Sequence, residues 1–214
     1  MSDTQLTDQE TRFGAESAGA IEIIACGALA REILALIEAN GLTQLRLSCL
    51  PASLHNRPDA IPDRVREQVR AAREAGAVRV LVAYADCGTG GLLDRVCEDE
   101  GVERIEGPHC YSFFSGNDRF AERADQEITA FYLTDFLARQ FDALVWRGMG
   151  LDRYPELRDT YFAHYERLIY LAQTDDPALD RRAEEAAERL GLAYERRFTG
   201  YGDLADFLMA GAST

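Results

Sequence analysis

Cysteine and histidine are the residues whose placement in this chain invites chemistry. Cys49 follows Cys26 by 23 residues, and Cys110 follows Cys87 by the same 23. The first cysteine of each pair is followed by glycine and an apolar helical pattern. Thiolates gathered from separate strands suit zinc or an iron-sulfur cluster, and the same thiols without metal suit a nucleophile or a redox couple. Cys87 lies in Asp86-Cys87-Gly88-Thr89-Gly90-Gly91, a turn leading into a helix, where free N–H groups and the positive helix end favour thiolate or hold an anion. His109-Cys110-Tyr111 puts an imidazole, a thiol and a phenol in one short loop. The residues therefore assign catalytic roles to Cys87 and His109, and metal ligation to Cys26, Cys87 and Cys110 with Cys49 or His109 completing the shell. Tyr84, Gly88, Gly90, His55 and Arg57 are the substrate-facing candidates, since a guanidinium such as Arg57 pairs with carboxylate or phosphate. For Cys26 a core role weighs as heavily as a functional one. Cys97, inside a helical pattern, and His164, among aromatic residues, read as packing.

These residues need strands and helices to position them. Ile21 to Cys26 is a β-rich run, and Leu29, Ile33, Leu36 and Ile37 then recur at helical spacing until Gly41. Leu45 to Cys49 alternates like a strand. Val80 to Tyr84, a helix over Leu92 to Glu100, and Val102 to Ile105 running toward Cys110 repeat that order. Leu168 to Gln173, a helix from Pro177 to Leu190 and a run to Thr199 form a third unit without cysteine. A helix from Pro62 to Ala75 buries Val65 and Val69. Alternation of this kind predicts an α/β fold with a parallel sheet built from repeated strand-helix-strand units (about 21–60, 78–111 and 167–204), because each parallel crossover needs a helix. A helical insertion (about 112–166), with helices over Thr134 to Trp146 and Pro155 to Tyr165, precedes the third unit. Its aromatic residues, Phe131 and Tyr132 among them, are expected to pack as core. Residues 1–20 read as a disordered arm, 21–208 as a single domain, and the tail from Ala210 as frayed. In parallel sheets the ligand crevice lies beyond the carboxyl ends of the strands, so four thiols are expected at one crevice.

Composition narrows the chemistry. The 214 residues contain 23 Arg and no Lys, which excludes Schiff-base lysine, pyridoxal attachment and a P-loop lysine. A net charge of −14 opposes polyanionic nucleic acid and anionic lipid. The polar, acidic first twenty residues carry no secretory signal, and no stretch is apolar enough to span a membrane. A cytoplasmic location follows, with a small molecule as ligand and neither nucleic acid nor membrane as partner.

Tyr84-Ala-Asp-Cys87-Gly88-Thr-Gly-Gly, His109-Cys110-Tyr111, Leu50-Pro-Ala-Ser-Leu-His55-Asn-Arg-Pro58 and Phe131-Tyr-Leu-Thr-Asp-Phe136 together resemble domain-of-unknown-function family 1638, over about residues 21–208. Its members stand often beside genes for corrinoid-dependent methyltransferases. The resemblance implies a place in one-carbon or methylamine metabolism, with corrinoid as a cofactor and a corrinoid protein or methyltransferase as partner. The strand-helix units also look like those of quinolinate synthase, where each unit gives one cysteine to a cluster; here the third unit has none. The expectation is a metal- or iron-sulfur-binding protein acting on a small molecule. The alternatives are a noncatalytic corrinoid- or partner-binding module and a metal-free thiol enzyme.

Overall fold

The computed structural model describes residues 3–14 and 19–213. The chain forms two compact units, residues 1–113 with 201–214 and residues 114–200, so the run expected from 21 to 208 is distributed over both. In the first unit α1 (Asp3–Asp8) and β1 (Thr11–Phe13) precede β2 (Ile21–Cys26), α2 (Ala30–Ala39), β3 (Leu45–Leu50), α3 (Ile61–Glu74), β4 (Arg79–Ala83), α4 (Leu92–Glu100) and β5 (Glu103–Arg104). The short helix α5 (Cys110–Ser115) closes this stretch.

The sheet order is β1-β3-β2-β4-β5, with β2 to β5 parallel and β1 antiparallel to β3. Every residue of β2 and β3 is buried, as expected of strands covered on both faces. The polar residues on these strands survive burial by pairing. Glu22 stands opposite Arg46, forms an ion pair with its guanidinium (Nε at 3.0 Å) and takes a 2.5 Å hydrogen bond from Ser48 Oγ. The connection from β2 goes one way to β3, and the next crosses back over β2 to β4. Right-handed crossovers in opposite directions place α2 and α3 on opposite faces and open a crevice at the carboxyl ends of β2 and β4.

The N-terminal arm, expected to be disordered, instead contributes α1 and β1. Leu6 is fully buried, and a Cβ on Gly27 would come within 2.1 Å of the Leu6 carbonyl oxygen. Only glycine allows this approach. Residues 1–2 and 15–18 of that arm lie outside the described residues. The tail is helical as well: α10 (Asp203–Ala212) packs on α2, and Arg79 donates to the carbonyl of the buried Gly211 at 3.1 Å. The hydrogen bonds of its last turn hold it.

The second unit contains α6 (Asn117–Arg123), β6 (Ala130–Thr134), α7 (Asp135–Phe141), α8 (Leu157–Tyr161), β7 (Arg167–Ala172), α9 (Pro177–Leu190) and β8 (Ala193–Phe198). Its sheet is β6-β7-β8, all parallel. The region expected to be a helical insertion thus supplies a strand, since Phe131 and Tyr132 belong to β6, and the third expected unit pairs with that strand instead of extending the first sheet. The helix expected over Thr134 to Trp146 passes at Asp142 into a wider π-turn, and that over Pro155 to Tyr165 shortens to α8. Asp135, fully buried, is satisfied by Tyr170 Oη at 2.7 Å, Thr174 Oγ1 at 2.5 Å and the Gln173 and Thr174 amides. Among the described residues no helix is long and apolar enough to cross a membrane.

Candidate functional site

Four segments of the first unit meet at the carboxyl ends of its central strands. Cys26 ends β2 and caps the 3-10 turn over Gly27–Leu29, its Sγ accepting the Ala28 N–H at 3.4 Å. The β2–β4 register pairs Ala25 with Ala83. One step further it sets Tyr84 beside Cys26 on the same face, because side chains alternate along both strands. His55 comes from the 3-10 turn over Ala52–Asn56, and its Nδ1 lies 3.7 Å from Cys26 Sγ and 3.2 Å from the Ala52 carbonyl oxygen. Cys87 belongs to the loop after β4 and interacts with the same imidazole.

Burial alone would push the Cys26 thiol up, but the positive His55, the hydrogen bonds from His55 and Ala28, and Tyr84 bring it below the ordinary thiol value. The reciprocal effect holds: the Cys26 thiolate, with a smaller contribution from Cys87, raises His55 well above the usual imidazole range. Both shifts favour the thiolate–imidazolium form of the pair. Burial and then the negative Cys26 and Cys87 keep Tyr84 protonated far into alkali. Tyr84 Oη is fully buried and interacts with the Cys26 sulfur, and it has no well-aligned acceptor among the described residues.

The glycine-rich turn is organised differently from the sequence reading. The α4 helix begins at Leu92 with Gly91 as its cap, so Cys87 stands ahead of the helix terminus. The anion of this turn is its own: Asp86 accepts Thr89 Oγ1 at 2.7 Å, the Gly90 N–H at 3.1 Å and the Gly91 N–H at 2.8 Å. Partial burial pushes the Asp86 carboxyl up, but these hydrogen bonds outweigh it and hold it below its usual range. Gly90 consequently offers its N–H inward, leaving it no free donor for a substrate anion. Cys87 itself is the one non-glycine with a left-handed backbone among the described residues, at φ 51°, a conformation that costs energy for a side chain with a Cβ. Its N–H donates to the Pro108 carbonyl and that of Asp86 to the Gly107 carbonyl, each at 2.9 Å. These bonds tie the Cys87 loop to the Cys110 loop. A Cβ on Gly88 would lie 3.6 Å from Pro58, on the His55 side.

The structure thus brings together Cys26, Cys87, Tyr84 and His55. Cys110 is close enough that, after burial, Cys87 and Cys26 raise it further. It begins α5 instead of ending a strand, because β5 stops at Arg104. Cys49 pairs in register with Ala25, not with Cys26, so alternation sends it to the opposite face beside Thr11, and burial raises its thiol strongly. His109 is exposed, stacks edge-on against Tyr111 at 5.8 Å, and is lowered by burial of its ring atoms. Arg57 is exposed to solvent. Cys97 is buried on α4, and burial pushes its thiol up to about 11. Among the described residues no three His, Cys, Asp or Glu side chains are arranged to hold a metal ion. The donors are soft enough for zinc or iron-sulfur, but as placed they do not form a ligand shell.

The partnership of Cys26 with His55 was not foreseen. The signal available for it was the placement of His55 just beyond the strand ending at Cys49, on the same side of the sheet as the end of β2.

A family model described as "Protein of unknown function (DUF1638)" matches residues 49–208. The chain belongs to this family. The match includes His55, Tyr84, Cys87 and Cys110, and Cys26 precedes it. No curated protein and no solved structure matches the chain.

Proposed function

We propose that this member of family 1638 is a thiol protein that binds or transforms a small molecule at Cys26, with the thiolate as the reacting group and His55 as its proton-bearing partner. The observation that carries this reading is the Cys26 Sγ to His55 Nδ1 contact of 3.7 Å at the carboxyl ends of a parallel sheet, where such folds place their ligands. An imidazolium beside a buried thiolate offsets the cost of burying the charge and supplies a proton to a leaving group. Cys87, half-buried beside the same imidazole, is the thiol facing the approach.

The test is thiolate absorbance near 240 nm and the pH dependence of alkylation by iodoacetamide, followed by peptide mapping. Cys26 should be alkylated with a midpoint below the ordinary thiol value of 9.0. In His55→Gln that midpoint should move up, because burial is then opposed only by Ala28 and Tyr84. A Cys26 that titrates like a free thiol in the parent protein would remove the reading. Elemental analysis of anaerobically purified protein covers the metal-centred alternative: bound zinc or iron-sulfur lost in both Cys26→Ser and Cys87→Ser would replace the nucleophile by a ligand set. Cobalamin retained through gel filtration would favour the corrinoid-binding alternative.

A further inference from the structure

Resting on the thiolate reading of Cys26, we infer that the site takes a carbonyl electrophile, with Tyr84 Oη as the hydrogen-bond donor to the carbonyl oxygen. Tyr84 is 1% exposed, and its hydroxyl interacts with the Cys26 sulfur but has no well-aligned acceptor among the described residues. A poorly aligned contact to sulfur leaves a buried hydroxyl under-satisfied, and the natural remedy is an oxygen acceptor brought by a ligand. The register indicates where that acceptor would sit, since Tyr84 and Cys26 each follow one member of the last β2–β4 pair, Ala83 and Ala25. An atom bonded to the carbon under attack by Sγ therefore lies within reach of the phenol.

The chemistry of that atom follows from the donors around it. Attack on a carbonyl places negative charge on oxygen, and a fixed O–H donor and a nearby imidazolium both gain strength as this charge develops. Methyl transfer to sulfur creates no such oxyanion and has no use for the phenol. In the carbonyl reaction the Cys26 electron pair forms the S–C bond and the C=O π pair moves onto oxygen. That oxygen takes the proton from His55, leaving neutral imidazole and a hemithioacetal, and release runs the same steps backward. No oxidant or reductant is needed. Cys26 is only 3% exposed, so a slender carbonyl such as an unbranched aldehyde is the probe suited to reach it.

The experiment uses propanal as the carbonyl probe and methyl methanethiosulfonate as a thiol reagent with no carbonyl. With carbonyl-13C propanal, the parent protein should show the labelled carbon converted to a tetrahedral resonance that is absent in Cys26→Ser. Tyr84→Phe should weaken propanal capture about tenfold or more, the loss expected for a buried hydrogen bond to developing charge. Its reaction with methyl methanethiosulfonate should fall far less, because that reaction develops no oxyanion and loses only the part of the Cys26 thiolate that the Tyr84 contact favours. No tetrahedral adduct in the parent, or equal slowing of both reagents in Tyr84→Phe, overturns the carbonyl assignment. Loss of the Cys26 thiolate from the parent protein would instead overturn the reading on which it rests.

Discussion

At the scale of single residues, the informative contrast is between Cys87 and Cys26. The glycines around Cys87 suggested free amides at a helix start, and the carboxylate of Asp86 consumes those of Gly90 and Gly91. Sequence cannot show that a turn is already neutralised by its neighbour. Cys26, whose surroundings in sequence are plain, gains its character from His55, 29 positions away. Linkage then shapes stability. His55 is raised when folded, so its contribution is complete below 6.5 and falls as pH rises toward its folded value. Cys26 is lowered, so its contribution is complete above 9.0 and falls as pH drops toward its folded value. Where the folded pair keeps its single proton between those two values, the gain and the loss cancel, because the unfolded chain there also holds one proton on the two groups. A double-mutant cycle of Cys26→Ser and His55→Gln, followed by melting temperature, should show coupling that is flat from about 6.5 to about 9 and declines on either side. Coupling that rises or falls steadily through neutrality would mean that the groups do not exchange a proton.

At the scale of elements, strands and helices with strong periodicity were legible: α4 spans Leu92–Glu100 as read, and α3 differs by one residue at each end. The failures share a cause, which is tertiary support that local pattern does not reveal. Ala130–Thr134 is too short and too aromatic to separate from a helix by spacing, and pairing with β7 decides for strand. The polar arm becomes α1 and β1 because Leu6 and Gly27 fit together and Thr11 to Phe13 finds the edge of β3. That contact bears on the site, since α1 also packs on the turn that carries His55. Gly27→Ala should lower stability by about 1–3 kcal/mol, the cost of overpacking, when measured by urea unfolding. It should also raise the alkylation midpoint of Cys26 as the His55 turn loses its support. A Gly27→Ala protein with an unchanged midpoint would show that α1 braces the fold but not the pair. Cys97→Ser, on the same unit, provides the contrast: it should cost about 1–3 kcal/mol for an unpaired buried hydroxyl and leave that midpoint alone.

At the scale of the whole molecule, every group that sets the charge of Cys26 comes from residues 1–113, and the second unit has a core of its own. Leu133, Leu168, Tyr170, Ala183 and Leu190 pack there, and the buried Asp135 has all its partners within it. The alternation of strands and helices did foretell that β2, β3, β4 and β5 run parallel in one sheet, although β4 and β5 end well before Cys87 and Cys110. It could not tell which side chains alternation would turn away, nor that a separate sheet would hold the third unit. The division makes a measurable claim about where function resides. Leu168 is fully buried in the second core, so Leu168→Ala should cost about 2–5 kcal/mol through the cavity it leaves. Hydrogen exchange should report that loss chiefly in residues 114–200, as local opening follows compact units. The Cys26 alkylation midpoint should meanwhile hold its parent value in the folded protein. If weakening the Leu168 core shifts that midpoint as far as His55→Gln does, the charge on Cys26 is set by both units together, and the site cannot be assigned to the first alone.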